Sequence, residues 1–219
     1  MKKVLVSIFS LAMVLSLSHP AVGHAETSLN DQLLAASLSG DTATVQQLLD
    51  KGANIEARDM FNFTPLSKAV AAGKTGTVKL LLAKGANIEA KGTDDYTALM
   101  GAAGEGNTEI VKLLLDKGAN IEAKDLDDWT ALIHASSQGR AEVVKLLLDK
   151  GANIETRTNN GKTALIMSAA LGKTEVVRLL LAKGANIDAK NNKGETALML
   201  AEGKGHTEIV KLLQEKRAH

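Results

Sequence analysis

The sequence has no cysteine, which excludes a disulfide framework, a thiolate nucleophile and any zinc or iron–sulfur site held by thiolates. Two prolines and an aromatic content of 2% are a poor composition for a β-sandwich. Neither charge sign dominates, with 26 Lys and Arg against 25 Asp and Glu, so there is no basic field to hold nucleic acid, which is not an expected partner. Past residue 25 no run reaches the roughly 18 uninterrupted apolar residues that a membrane-spanning helix needs. What remains is a chain rich in Leu, Ala and Val with 19 glycines, the composition of a helical, soluble domain.

Residues 1–25 read as a secretory signal peptide. Met1-Lys2-Lys3 gives a positive start, Val4 to Leu17 an apolar run, and Gly23-His24-Ala25 a small-residue cleavage site before Glu26. The apolar run is short of the roughly 20 residues of an uncleaved anchor, and without cysteine no lipid can be attached in the bacterial lipoprotein manner. Loss of Lys2 and Lys3 leaves 24 of the 26 bases against 25 acids, a net charge of −1. The expected product, residues 26–219, is secreted without stable membrane insertion into a periplasm, or otherwise to the cell exterior.

The string Lys-Gly-Ala-Asn-Ile begins at Lys51, Lys84, Lys117, Lys150 and Lys183, always 33 residues apart. Thr-(Pro/Ala)-Leu keeps the same beat from Thr64 to Thr196, and a glycine recurs from Gly40 to Gly205. Within one unit, Thr97 is placed to cap a first helix that Gly106 ends, and Pro65 suits a first helical turn. Thr108 to Lys117 carries Ile110, Val111, Leu113, Leu114 and Leu115 on a second, mostly buried helix. The polar stretch from Lys91 to Tyr96 predicts a hairpin-like finger, and Asn62, Asp95, Asp128, Gly161 and Gly194, which share one register, all tolerate positive φ. Glu109, Glu142, Glu175 and Glu208 stand three residues before a Lys or Arg, neighbours along their own helices worth only tenths of a kcal/mol each, and read as a solvated face that serves solubility. Gln46 and Gln47 at one end, and Gln214, Glu215 and Arg217 at the other, predict solvent-facing caps.

These strings, with Thr64-Pro65-Leu66, a mid-repeat Gly-x-Thr-Glu-(Ile/Val)-Val and a closing Gly-Ala-Asn-Ile, resemble the ankyrin repeat. The resemblance implies an all-α solenoid of about six 33-residue helix-turn-helix units with finger-like hairpins: an N-terminal capping repeat over 28–58, full repeats over 59–91, 92–124, 125–157 and 158–190, and a C-terminal capping repeat over 191–219. It also implies a concave groove, lined by fingers and first helices, that binds another protein. The family's histidine after Thr-Pro-Leu is replaced by Ser67, Met100, Ile133, Ile166 and Met199, so apolar packing is expected in its place.

No catalytic constellation is visible. His134, His206 and His219 are scattered, no phosphate-binding glycine loop or nucleophile elbow occurs, and no histidine pair is spaced for a metal. The acidic fingers Asp94-Asp95 and Asp125 to Asp128 carry too few converging oxygens for calcium. Neither cofactor nor metal is expected. The column Arg58, Lys91, Lys124, Arg157 and Lys190 has acids beside it and reads as structural rather than as a polyanion strip. The strongest site signal is the placement of the aromatics. Apart from Phe9 in the leader, the aromatic residues are Phe61, Phe63, Tyr96 and Trp129, all of them in fingers. Phe63, Tyr96 and Trp129 share one register and are expected to form an exposed ribbon with Met60, Phe61 and Leu126 on the same fingertips, while His134 is placed to approach the groove. This predicts a non-enzymatic interaction module outside the cytoplasm. The alternative is an extracytoplasmic protein that binds a cation or a small flat ligand on its rings.

Overall fold

A computed structural model describes residues 27–218, and the expected signal peptide and His219 lie outside these residues. Among the described residues there are twelve α-helices and no strand. In chain order they are α1 (Leu29–Ser39), α2 (Thr42–Asp50), α3 (Pro65–Ala71), α4 (Thr75–Ala83), α5 (Ala98–Glu105), α6 (Thr108–Asp116), α7 (Ala131–Gln138), α8 (Ala141–Asp149), α9 (Ala164–Ala170), α10 (Thr174–Ala182), α11 (Ala197–Lys204) and α12 (Thr207–Arg217).

Local chemistry sets the helix ends. Thr64, Thr97, Thr163 and Thr196 each accept, through the hydroxyl, the backbone N–H three residues on, which satisfies a donor that the first turn leaves unpaired. Gly106 ends α5 at φ 83°, a left-handed conformation that any other side chain would strain. Odd-numbered helices pack on one another in an inner layer and even-numbered helices in an outer layer, so each helix pair touches only its neighbours. One column of the outer layer is leucine throughout: Leu48, Leu81, Leu114, Leu147, Leu180 and Leu213, all buried. Apolar packing does replace the missing histidine, because Met100, Ile133 and Ile166 are buried between successive inner helices.

Polar ties repeat on the same beat. The backbone N–H groups of Asn87, Asn120, Asn153 and Asn186 donate to Glu56, Glu89, Glu122 and Glu155 of the preceding repeat, each at 2.7 Å. Pairing of glutamates along their own helices is found only loosely, at Glu175 and Arg178, 3.8 Å apart. Glu109 instead meets Lys79 of the preceding repeat at 3.0 Å, and Glu208 meets Arg178 at 3.1 Å. Neighbouring outer helices lie about 8–10 Å apart, so a long side chain reaches across as easily as along. Hydrogen bonds from Lys79, Lys150 and Lys183 hold Glu109, Asp116 and Asp149 below the ordinary carboxylate range.

The two ends differ. At the start, Gln32 is exposed in the register of buried Pro65 and Ala98, a true polar cap. At the other end Gln214 and Glu215 are exposed as expected, yet Met199 is 53% exposed in the register where Met100 is 1% exposed. The C-terminal cap is therefore solvent-facing without being polar throughout. The polar substitutions fall on α12 and at Glu202 of α11, whereas Leu198 and Met199 keep interface-type side chains.

Three buried hydroxyls, of Ser37, Thr130 and Ser136, have no hydrogen-bond partner. Ser136 shares its register with buried Ala103 and Ala169, so its Oγ is desolvated without compensation. Replacing Ser136 with alanine is expected to raise stability by about 1 kcal/mol. A chemical denaturation curve with an unchanged slope and a higher midpoint would register it, and a lower midpoint would contradict it.

Candidate functional site: the fingers and their floor

Each finger is a short hairpin closed by its own backbone. The N–H groups of Asp59, Gly92, Asp125, Thr158 and Asn191 donate to the carbonyls of Phe63, Tyr96, Trp129, Lys162 and Glu195, at 2.9–3.1 Å. The register predicted to tolerate positive φ does so, with Asn62 at 65°, Asp95 at 63°, Asp128 at 60°, Gly161 at 73° and Gly194 at 77°. Asp94, at 58°, joins them. Consecutive fingers are linked at their tips, where Leu126 N–H donates to Asp94, Asn159 to Asp127 and Asn192 to Asn160, and where the Thr93 hydroxyl donates to the Phe61 carbonyl at 2.7 Å. The basic column takes part in this framework. Arg58 and Arg157 donate to the carbonyls of Lys91 and Lys190, while Lys91 and Lys124 pair with Asp95 and Asp128.

The first residue of each finger organises it from within. Asp59 Oδ1 accepts the N–H groups of Phe61 and Phe63, and its Oδ2 pairs with Lys68 Nζ on α3 at 2.6 Å. Asp125 repeats this arrangement, with Oδ1 accepting from Asp127 and Trp129 and Oδ2 accepting from His134 Nε2 on α7 at 2.9 Å. Thr158 and Asn191 make the equivalent bond to the fourth residue on, whereas Gly92 has no side chain to do so. Partial burial pushes the Asp125 carboxyl up, but the bonds from His134, Trp129 and Asp127 together outweigh burial and hold it below the ordinary range.

These carboxylates decide where the rings lie. Lys68 Nζ sits over the Phe63 ring, 5.9 Å from its centroid. His134 is in ring contact on two sides, edge-on to Tyr96 at 5.0 Å and tilted against Trp129 at 5.0 Å. The second finger lacks the carboxylate at Gly92, and its floor lacks a side chain at Gly101. Tyr96 fills that space, its ring 3.5 Å from where a Cβ of Gly101 would stand and its hydroxyl 3.6 Å from the equivalent point at Gly104.

The sequence-derived residues thus divide into two sets. Met60, Phe61 and Leu126 are exposed at the tips, at 88%, 43% and 66%. Phe63, Tyr96, Trp129 and His134 are half-buried, so the expectation of an exposed in-line ribbon through the first three is corrected: the floor helices carry the side chains, or the gap at Gly101, against which the rings pack. His134 lies between two rings, those of Tyr96 and Trp129. His206 lies over Gly172 of the preceding repeat, a structural position. Asp59 and Asp125 were not singled out as organisers, although the signal was legible as an oxygen-bearing side chain recurring at the foot of four of the five fingers.

Burial drives the Tyr96 phenol far above its ordinary value, with Glu105 and Asp125 adding to the effect. As the chain has one tyrosine, phenolate absorbance near 295 nm reads this residue alone. No phenolate signal is expected at about pH 10, where a free tyrosine is half ionised, until the fold is lost. Half-ionisation near that pH with helical circular dichroism intact would show the ring to be open to solvent.

No group of three His, Asp or Glu side chains among the described residues could hold a metal ion. Two concavities lie away from the rings, one around Arg178, Leu181 and Lys216 and one around Glu202, Val210 and Lys211. No described helix is long and apolar enough to cross a membrane.

A family model described as "Ankyrin repeats (3 copies)" matches residues 32–125, 86–158, 123–191 and 151–219. Among solved structures, the chain is similar to the crystal structure of an ankyrin repeat domain from Acinetobacter baumannii AYE. The TM-score is 0.75 and the identity 31%, over 84% of this chain and 96% of that one. No curated protein matches the chain.

Proposed function

The chain belongs to the ankyrin-repeat family, and from that premise we propose that it is a non-enzymatic adaptor that holds a partner protein along its fingers and groove outside the cytoplasm. Ankyrin repeats generally mediate protein–protein interaction, and the fold is typically non-enzymatic. The observation that carries the finer reading is the concentration of apolar surface on the fingers of residues 59–129. Met60, Phe61 and Leu126 stand exposed at the tips, above rings already held in place by Lys68, Gly101 and His134. Rings fixed in this way lose little entropy on contact, which favours affinity. The reading of residues 1–25 as a secretory signal supports a periplasmic location, or otherwise an extracellular one.

The test is affinity capture from an extracytoplasmic extract, with the parent protein beside a variant carrying Ser at positions 60, 61 and 126. These side chains are exposed, so the variant should melt like the parent while losing its partner. Trp129→Ala should weaken the same partner by about 2 kcal/mol. Equal capture by parent and triple variant would place binding elsewhere and defeat the assignment.

A further inference from the structure

We propose that the C-terminal end of the array is a self-association surface, on which two copies dock about a two-fold axis through α11 and α12. The two ends of a solenoid face the same physical problem, because each exposes a helix pair that inner repeats cover. The N-terminal end solves it by substitution at Gln32, which takes the position that buried Ala98 fills in inner repeats. The C-terminal end does so only in part, at Glu202, Gln214 and Glu215. Leu198, Met199 and Val210 keep the residue types of their buried counterparts Leu165, Met100 and Val177, yet all three are at least partly exposed.

Charge identifies the occupant. Glu202 is exposed in the register where Ala103 and Ala169 are fully buried, so one more repeat stacked in the same sense would cover a carboxylate with apolar surface. Lys211 lines one concavity together with Glu202 and Val210. Neither charge has an ion-pair partner within the described chain. A two-fold mate reverses the order of the helices and lays α11 of one copy against α12 of the other. Each Glu202 then meets the second copy's Lys211 around a shared centre of Met199 and Val210. Helices of 8 and 11 residues are about 12 and 16 Å long, so the face is on the order of 300 Å². That is well under the roughly 800 Å² per partner of a stable complex, and the dimer is accordingly weak.

Sedimentation velocity over a micromolar-to-millimolar series of the purified protein should show the weight-average mass rising from one copy toward two. Met199→Glu should abolish the rise while leaving helical circular dichroism unchanged, since this side chain is already half exposed. Glu202→Lys and Lys211→Glu should each weaken association at least tenfold. Mixing these two variants should restore it, because in the mixed dimer both charge pairs become complementary again. A single-copy mass throughout the series overturns the proposal. So does a dimer indifferent to these substitutions, which would use another face, a mass climbing past two copies, which would mean open-ended stacking, or a mixture that fails to recover.

Discussion

Leu147→Ala is expected to cost about 3–4 kcal/mol and to split the unfolding of the array into two steps. Leu147 is fully buried on α8, in the middle of the leucine column from Leu48 to Leu213. Truncation loses the transfer free energy of the removed carbons and leaves a cavity that the flanking leucines Leu114 and Leu180, fixed in their own repeats, can only partly fill. In a globular core such a loss is shared through many contacts. Here helix pairs touch only their neighbours, so weakening one junction uncouples the repeats on its two sides. Urea unfolding followed by Trp129 fluorescence, beside circular dichroism of the whole chain, resolves the two parts, since the chain's single tryptophan lies in the finger that precedes α7. Coincident transitions with a midpoint shift worth less than about 1 kcal/mol would show the column to be more accommodating than close packing allows.

The same nearest-neighbour construction explains what the sequence made legible. A 33-residue period makes the buried positions coincide in every copy, so six aligned leucines or five aligned glycines and asparagines declare helix ends, turns and core without knowledge of any long-range contact. The finger positions with positive φ were readable for the same reason. What the period hides is what differs between copies. The orientation of Tyr96 depends on two absences, at Gly92 and Gly101, which act on the ring only once the finger is folded over its floor. The partners of Glu109 and Glu208 are not legible because sequence spacing counts neighbours along one helix, whereas stacking supplies closer ones from the next. The open face at Met199 is not legible in the string because Leu198, Met199 and Val210 are the residue types of inner repeats. Only exposure sets these three apart.

Asp125 is where these threads meet the candidate site, and its removal should be felt in both stability and acid response. Asp125→Ala deletes the acceptor of the Asp127 and Trp129 N–H groups and the partner of His134, and is expected to cost about 2–3 kcal/mol through the donors left unsatisfied. Asp125→Asn keeps an oxygen for the two backbone donors and removes the charge, so it should cost roughly 1 kcal/mol near neutrality. The pH dependence has a definite sign. The folded carboxyl is held below its ordinary value, so the folded state favours the ionised form. Its contribution is complete above about pH 3.9, the value in an unfolded chain, and is lost as pH falls through the folded value. The gap in melting temperature between parent and Asp125→Asn should therefore be widest from neutral down to about pH 5 and close progressively in more acidic solution. Trp129 fluorescence in the native state should change in step, because the ring rests against the histidine that this carboxylate holds. A gap that stayed constant down to about pH 2 would mean that the Asp125 charge contributes nothing, and that the finger is set by its backbone hydrogen bonds alone.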